Sequence, residues 1–131
     1  MAETFNGKCH CGAVTFTVRF DEAIETSRCN CSICQPTRFW KALVPAEAFT
    51  LDSGADALGT YEFGRRTIKH HYCMRCGEKL HGDVSMDGGA LVAVSVPTLG
   101  MSPEQLAALP VTYQNGAEDD YEHPPQVTSY L

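Results

Sequence analysis

The chain has no long basic tract, no long hydrophobic run and no leader-like opening, and each absence removes a class of function. Its longest run of cations is Arg65-Arg66, within a formal net charge of −6 over 131 residues. Binding nucleic acid by counterion release needs clustered lysine and arginine, so nucleic acid is not expected as a partner. The longest strongly apolar stretch, Ala90 to Val96, falls far short of the roughly 20 residues that cross a bilayer. The opening Met1-Ala2-Glu3-Thr4-Phe5-Asn6 has neither the basic nor the apolar part of a signal peptide. The expectation is a soluble, cytoplasmic protein without a membrane partner.

What is present is mostly ordinary. Hydrophobic residues make up 44% and charged residues 20%, which suits one domain over residues 1–131 with a modest core. Cysteine is the exception. Seven cysteines in a chain expected in a reducing compartment do not read as a disulfide framework, and an odd number cannot all pair. They fall as Cys9 and Cys11, then Cys29, Cys31 and Cys34, then Cys73 and Cys76.

Periodicity predicts a mainly β fold. From Gly12 to Phe20, Val14, Phe16, Val18 and Phe20 alternate with Ala13, Thr15, Thr17 and Arg19, the period of a half-buried strand. Further strands are expected at Ile24–Arg28, Arg38–Val44, Leu58–Phe63, Arg66–Tyr72, Glu78–Val84 and Ala90–Val96, the last two joined at Asp87-Gly88-Gly89. One helical turn is expected at Pro45–Phe49 and a turn at Asp52-Ser53-Gly54. The one convincing helix starts at Ser102-Pro103-Glu104-Gln105, which offers a cap, an N1 proline and a capping-box glutamine. Asn115-Gly116 signals a tight turn, and Glu118 to Pro125 reads as an irregular acidic strap.

Side chains two apart on an extended segment project to the same side, so Cys9 and Cys11 can grip one metal together. Cys73-Met74-Arg75-Cys76-Gly77 has the form of a knuckle in which Gly77 supplies a positive φ. Together these four thiols would make a closed, tetrahedral, structural site. Structural zinc contributes on the order of 10–16 kcal/mol in small peptides, so its loss would unfold such a domain. The bland alternatives are buried thiols or redox pairs, the latter without the βαβ surroundings of a thioredoxin-like motif. Cys29, Cys31 and Cys34 offer three ligands within six residues. Two readings of them stand: an open site with a free fourth position, or a second closed site completed by His70, His71 or His81. Thiolate ligation favours zinc, with iron as the other candidate. Trp40, the single tryptophan, reads as core packing or as a wall of the triplet's pocket. Arg28, Arg38 and Lys41 are the cations flanking the triplet, and the default for each is a solvated surface charge.

Gly7-Lys8-Cys9-His10-Cys11-Gly12, Cys29-Asn30-Cys31-Ser32-Ile33-Cys34 and Tyr72-Cys73-Met74-Arg75-Cys76-Gly77 together resemble the glutathione-dependent formaldehyde-activating enzyme family. The segments Val44-Pro45-Ala46-Glu47-Ala48-Phe49 and Val94-Ser95-Val96-Pro97-Thr98-Leu99 are similar to it as well, so the likeness runs from about residue 7 to residue 100. The resemblance implies an Mss4-like fold of twisted antiparallel sheets, also found in centromere protein V. It implies two zinc ions, a structural one at Cys9, Cys11, Cys73 and Cys76 and a reaction-site one at Cys29, Cys31 and Cys34. It further implies a carbon–sulfur lyase that joins the glutathione thiol to formaldehyde as S-hydroxymethylglutathione. Arg38, Trp40 and Lys41 are then the expected substrate contacts. Two departures stand out. The basic residues and glycine that family members carry after the triplet are replaced by Gln35-Pro36-Thr37-Arg38-Phe39-Trp40, and the tail from Val111 to Leu131 is the chain's own. A non-catalytic zinc-containing binding module and a thiol carrier are the rival functions.

Overall fold

The computed structural model describes residues 2–86 and 89–131. A small sheet is built from β1 (Glu3–Lys8) and β2 (Thr15–Phe20), an antiparallel hairpin, with β5 (Phe49–Ser53) on the other edge of β2. A larger, seven-stranded sheet runs from edge to edge as β10 (Val111–Gln114), β3 (Thr26–Cys29), β4 (Trp40–Pro45), β9 (Gly89–Ser95), β8 (Lys79–Met86), β7 (Ile68–Cys73) and β6 (Leu58–Tyr61). Its pairings are antiparallel except for β10 against β3, which is parallel. The fold is mainly β, as the periodicity predicts. Two short helices, α1 (Cys34–Thr37) and α2 (Pro103–Ala108), interrupt it.

The alternation in β2 decides how the sheets meet. Phe16 and Val18 are wholly buried and Phe20 nearly so, while Arg19 on the other face is exposed. The buried row packs with Ala42 and Val44 of β4, Leu80 of β8, and Val92 and Val94 of β9. Each large apolar side chain so buried contributes about 1.5–3 kcal/mol. At α2 the capping box forms as its sequence predicts: the Gln105 N–H donates to Ser102 Oγ at 3.1 Å, and the Ser102 N–H donates to Gln105 Oε1 at 2.8 Å.

Several elements differ from the sequence reading. β1, β5, α1 and β10 were not expected. Phe49–Ser53 becomes a strand because it pairs with β2, and only Gly54, at φ +89°, makes the turn. The expected strand from Arg66 begins at Ile68, since Arg66 sits in a turn at φ +58°. The expected turn at Asp87-Gly88-Gly89 lies, at positions 87 and 88, outside the described residues. Among the described residues, no helix is long and apolar enough to cross a membrane.

Candidate functional site

The β1–β2 turn brings Cys9 and Cys11 to the same end of the molecule as the β7–β8 turn with Cys73 and Cys76. All four sulfurs lie within 4.8 Å of one another. The Cys9 Sγ–Cys11 Sγ and Cys11 Sγ–Cys73 Sγ separations are both 3.7 Å. Tetrahedral zinc with bonds of about 2.3 Å requires sulfurs about 3.8 Å apart, so the donor set and its spacing fit that ion. Backbone N–H groups point at the sulfurs: Val14 at Cys9 (3.3 Å), and Arg75 and Cys76 at Cys73 (both 3.4 Å). The Cys76 N–H leads in drawing the Cys73 thiol down to about 6, despite burial. Cys76 is lowered too, chiefly by backbone hydrogen bonding. Donors aimed at sulfur favour thiolate, the form a metal needs. Gly77, at φ +80°, closes the knuckle, with its N–H donating to the Cys73 carbonyl at 2.7 Å.

The second set lies on the outer face of the large sheet. Cys29 ends β3 and is buried, Cys31 follows in the turn, and Cys34 opens α1. The thiols act on one another: hydrogen bonds with Cys29 and Cys34 hold Cys31 far below the usual thiol range. Cys34 goes the other way, pushed up by Cys29 and Cys31, by burial and by the negative charge on Cys31. Three cysteine donors fit zinc chemically, although they are less tightly gathered than the four-cysteine set.

The expected substrate contacts separate. Lys41 alternates on its strand with Trp40 and so projects to the opposite face. Its charge acts on Cys34, and its Nζ donates to Gln114 Oε1 at 2.9 Å. Trp40 instead packs against the core, with the Arg28 guanidinium 4.6 Å above its ring. Arg38, in a left-handed conformation, donates to the Tyr130 carbonyl at 2.6 Å.

Sequence reasoning missed three parts of this site. Lys79, 45 positions after Cys34, lies with its Nζ 4.0 Å from the Phe39 ring centre and 2.9 Å from His70 Nδ1. Burial lowers its pKa while Cys34 and Cys31 raise it. The second part is Gly116. A Cβ there would stand 2.6 Å from Cys29 Sγ and 3.0 Å from Cys31 Cβ, so only a glycine lets the tail lie this close. Asn30 fastens that tail: its N–H donates to the Gln114 carbonyl, its Nδ2 to Asn115 Oδ1 at 2.9 Å, and its Oδ1 accepts from the Ala117 N–H at 3.0 Å. The third is Tyr121, whose hydroxyl is 3.2 Å from the same Gly116 Cβ position. Burial, then Cys29 and Cys31, raise its pKa. The Asn-Gly pair was the one signal in the sequence that the tail turns here.

The three histidines considered for completing the triplet also separate. His70 faces Lys79 and the triplet, and burial followed by the Lys79 charge takes its pKa down to about 4. His71 points to the other face of β7, where His71, His81 and Asp83 bring their ligand atoms within 4.8 Å of one another. The His71 Nε2 to Asp83 Oδ2 distance is 2.8 Å, and Thr60 Oγ1 is 3.0 Å from His71 Nδ1.

Similarity to known proteins follows the same body of structure. A family profile described as glutathione-dependent formaldehyde-activating enzyme matches residues 4–114. A Halomonas elongata protein, provisionally named a glutathione-dependent formaldehyde-activating enzyme, is 33% identical over an 86-position alignment that covers 56% of this chain and 52% of that protein. The match thus spans about half the length of that curated relative. A crystal structure of a Rhodobacter sphaeroides protein matches with a TM-score of 0.70 at 33% identity, covering 82% of this chain and 99% of that one. The profile extends beyond the segment from residue 7 to 100 and takes in β10, so the chain's own tail starts after Gln114 and not at Val111. A match that contains both cysteine sets and the sheets between them shows that the chain belongs to the glutathione-dependent formaldehyde-activating enzyme family.

Proposed function

We propose that Cys29, Cys31 and Cys34 form the reaction site of an enzyme that adds a small thiol to an aldehyde, glutathione to formaldehyde in the family's named chemistry. The observation that carries this reading is three mutually interacting thiols on the outer face, beside two lysines and apart from the four-cysteine set. A zinc ion held there would act as a Lewis acid with a fourth position open to substrate. A second zinc at Cys9, Cys11, Cys73 and Cys76 would be structural, giving two per chain.

The chain's own residues do the rest. Lys41 and Lys79 supply positive charge where an anionic thiol must approach an already negative group of cysteines. An open cleft of about 720 Å³ shares Lys41, Ser27 and Gln114 with this face; none of the three cysteines lines it, and its wall carries Asp21, Glu22 and Glu25 as well as Arg19. In the reaction a carbon–sulfur bond forms and the aldehyde π bond breaks. The thiol proton ends on the new hydroxyl, giving S-hydroxymethylglutathione. Reversal is the carbon–sulfur lyase direction. Holding both reactants together is the main contribution expected of the pocket. Free thiols suit a reducing compartment such as the cytoplasm.

Exchange-resolved NMR of formaldehyde, glutathione and their adduct tests the reading. Catalysed exchange above the spontaneous rate is expected with the native chain and absent with folded Cys31→Ser. Equal rates with and without the native protein would sink it and leave a binding module or thiol carrier.

A further inference from the structure

The inner face of β7 and β8 carries a group that thiol–aldehyde chemistry leaves unused. His71 and His81 are direct cross-strand partners, and Asp83 stands two residues beyond His81 on the same face. The imidazole ring centres are 4.6 Å apart. His81 is 3% exposed and His71 8%, while the Asp83 side chain is half exposed. The group therefore has a dry floor and one side open to water.

His81 Nδ1 is buried without a hydrogen-bond partner. An unpaired buried polar atom is costly, and a packed ring between Phe49, at 4.5 Å, and His71 offers no simple way to relieve it. Two imidazoles and one carboxylate, on adjoining strands and with an open side, are the donor set of a three-residue transition-metal site. We propose that His71, His81 and Asp83 bind a divalent first-row transition ion at a site distinct from both cysteine sets.

Thr60 makes the exchange of partners cheap. In the neutral tautomer that pairs Nε2–H with the Asp83 carboxylate, Nδ1 is left to accept from the Thr60 hydroxyl. When Nε2 turns to a metal, its proton moves to Nδ1, and the hydroxyl rotates to accept it. No proton need leave the protein. The ligand set carries a single negative charge, so a bound divalent ion retains net positive charge and admits water or an anionic ligand on the open side.

The test is a cobalt(II) titration of the zinc-loaded protein, followed by visible spectroscopy and calorimetry. One additional equivalent is expected, with a d–d band but no thiolate-to-cobalt charge transfer, and with the zinc content unchanged. Asp83→Ala alters a half-exposed side chain and should leave the fold intact while weakening that binding more than about tenfold, the low end of what losing even a ligand's supporting partner costs. His81→Phe, which keeps a ring against Phe49, should do the same. No uptake at millimolar cobalt, uptake only with a charge-transfer band, or equal affinity in folded Asp83→Ala would each overturn the proposal. The outcome is independent of the exchange assay, which reads the opposite face of the sheet.

Discussion

The two cysteine sets use the same atom in opposite structural settings. Cys9, Cys11, Cys73 and Cys76 sit in two hairpin turns, each closed by its own backbone hydrogen bonds, and join strands of the small sheet to strands of the large one. Cys29, Cys31 and Cys34 lie where β3 runs into α1, and part of their enclosure comes from residues 114–121, far along the chain. The first set is complete when two local turns meet. The second is bounded by a segment that must be fastened from outside, through Asn30. A closed set can serve stability, whereas the enclosure of the triplet depends on a distant segment staying fastened.

The sharpest way to break this contrast is to remove one ligand from each set. Cys73→Ser is expected to prevent folding, because it uncouples the sheets and leaves the remaining thiols without their metal geometry. Cys31→Ser should stay folded, with one metal fewer and no activity. Circular dichroism melts with elemental analysis check both, and equal loss of structure would erase the distinction.

A smaller effect should come from Gly116→Ala. The new methyl would press on Cys29 Sγ at 2.6 Å, so the tail must shift. A cost of about 1–3 kcal/mol is expected, as for overpacking in general. Metal release from the triplet should quicken while the four-cysteine set keeps its ion, a difference that chelator-release kinetics resolve. Unchanged release from both sets would mean that the tail does not bound the triplet.

The least effect on stability belongs to Lys79→Met. Removing a half-buried ammonium that rests on Phe39 should change the melting midpoint little, since its desolvation cost goes with its attraction to Cys34 and Cys31. An anionic thiol should nonetheless bind several-fold more weakly, seen as a raised KM. Neutral thiols should be nearly unaffected, and an equal effect on both would remove charge as the reason.

How much of this could be read in advance depended on how local the cause was. The four-cysteine set was legible because the Cys-x-Cys and Cys-x-x-Cys-Gly spacings fix sulfur positions within a few residues. The strand of Phe16 and Val18 and the Ser102 capping box were legible for the same reason. β10 was not, since Val111–Gln114 is a strand only by pairing with Thr26–Cys29. Lys79 was also hidden. Nothing near it in sequence mentions the triplet; the β7–β8 pairing brings it beside His70, and the order β4-β9-β8 brings it to Phe39. Trp40 had two readings, core packing or pocket wall, and strand alternation decides for the first: its ring turns to the core and the outer face goes to Lys41.

The fastening at Asn30 also sets an order of events during biosynthesis. Its partner Asn115 lies 85 positions later, on the order of ten seconds of ribosomal elongation. Throughout that interval the three thiols lack their last wall, and a metal ion would meet them as an open shelf. The four-cysteine set can assemble once Cys76 has emerged, well before the wall arrives. For a metal bound by the triplet, translation would thus leave a loading window that closes when the strand ending at Gln114 has docked.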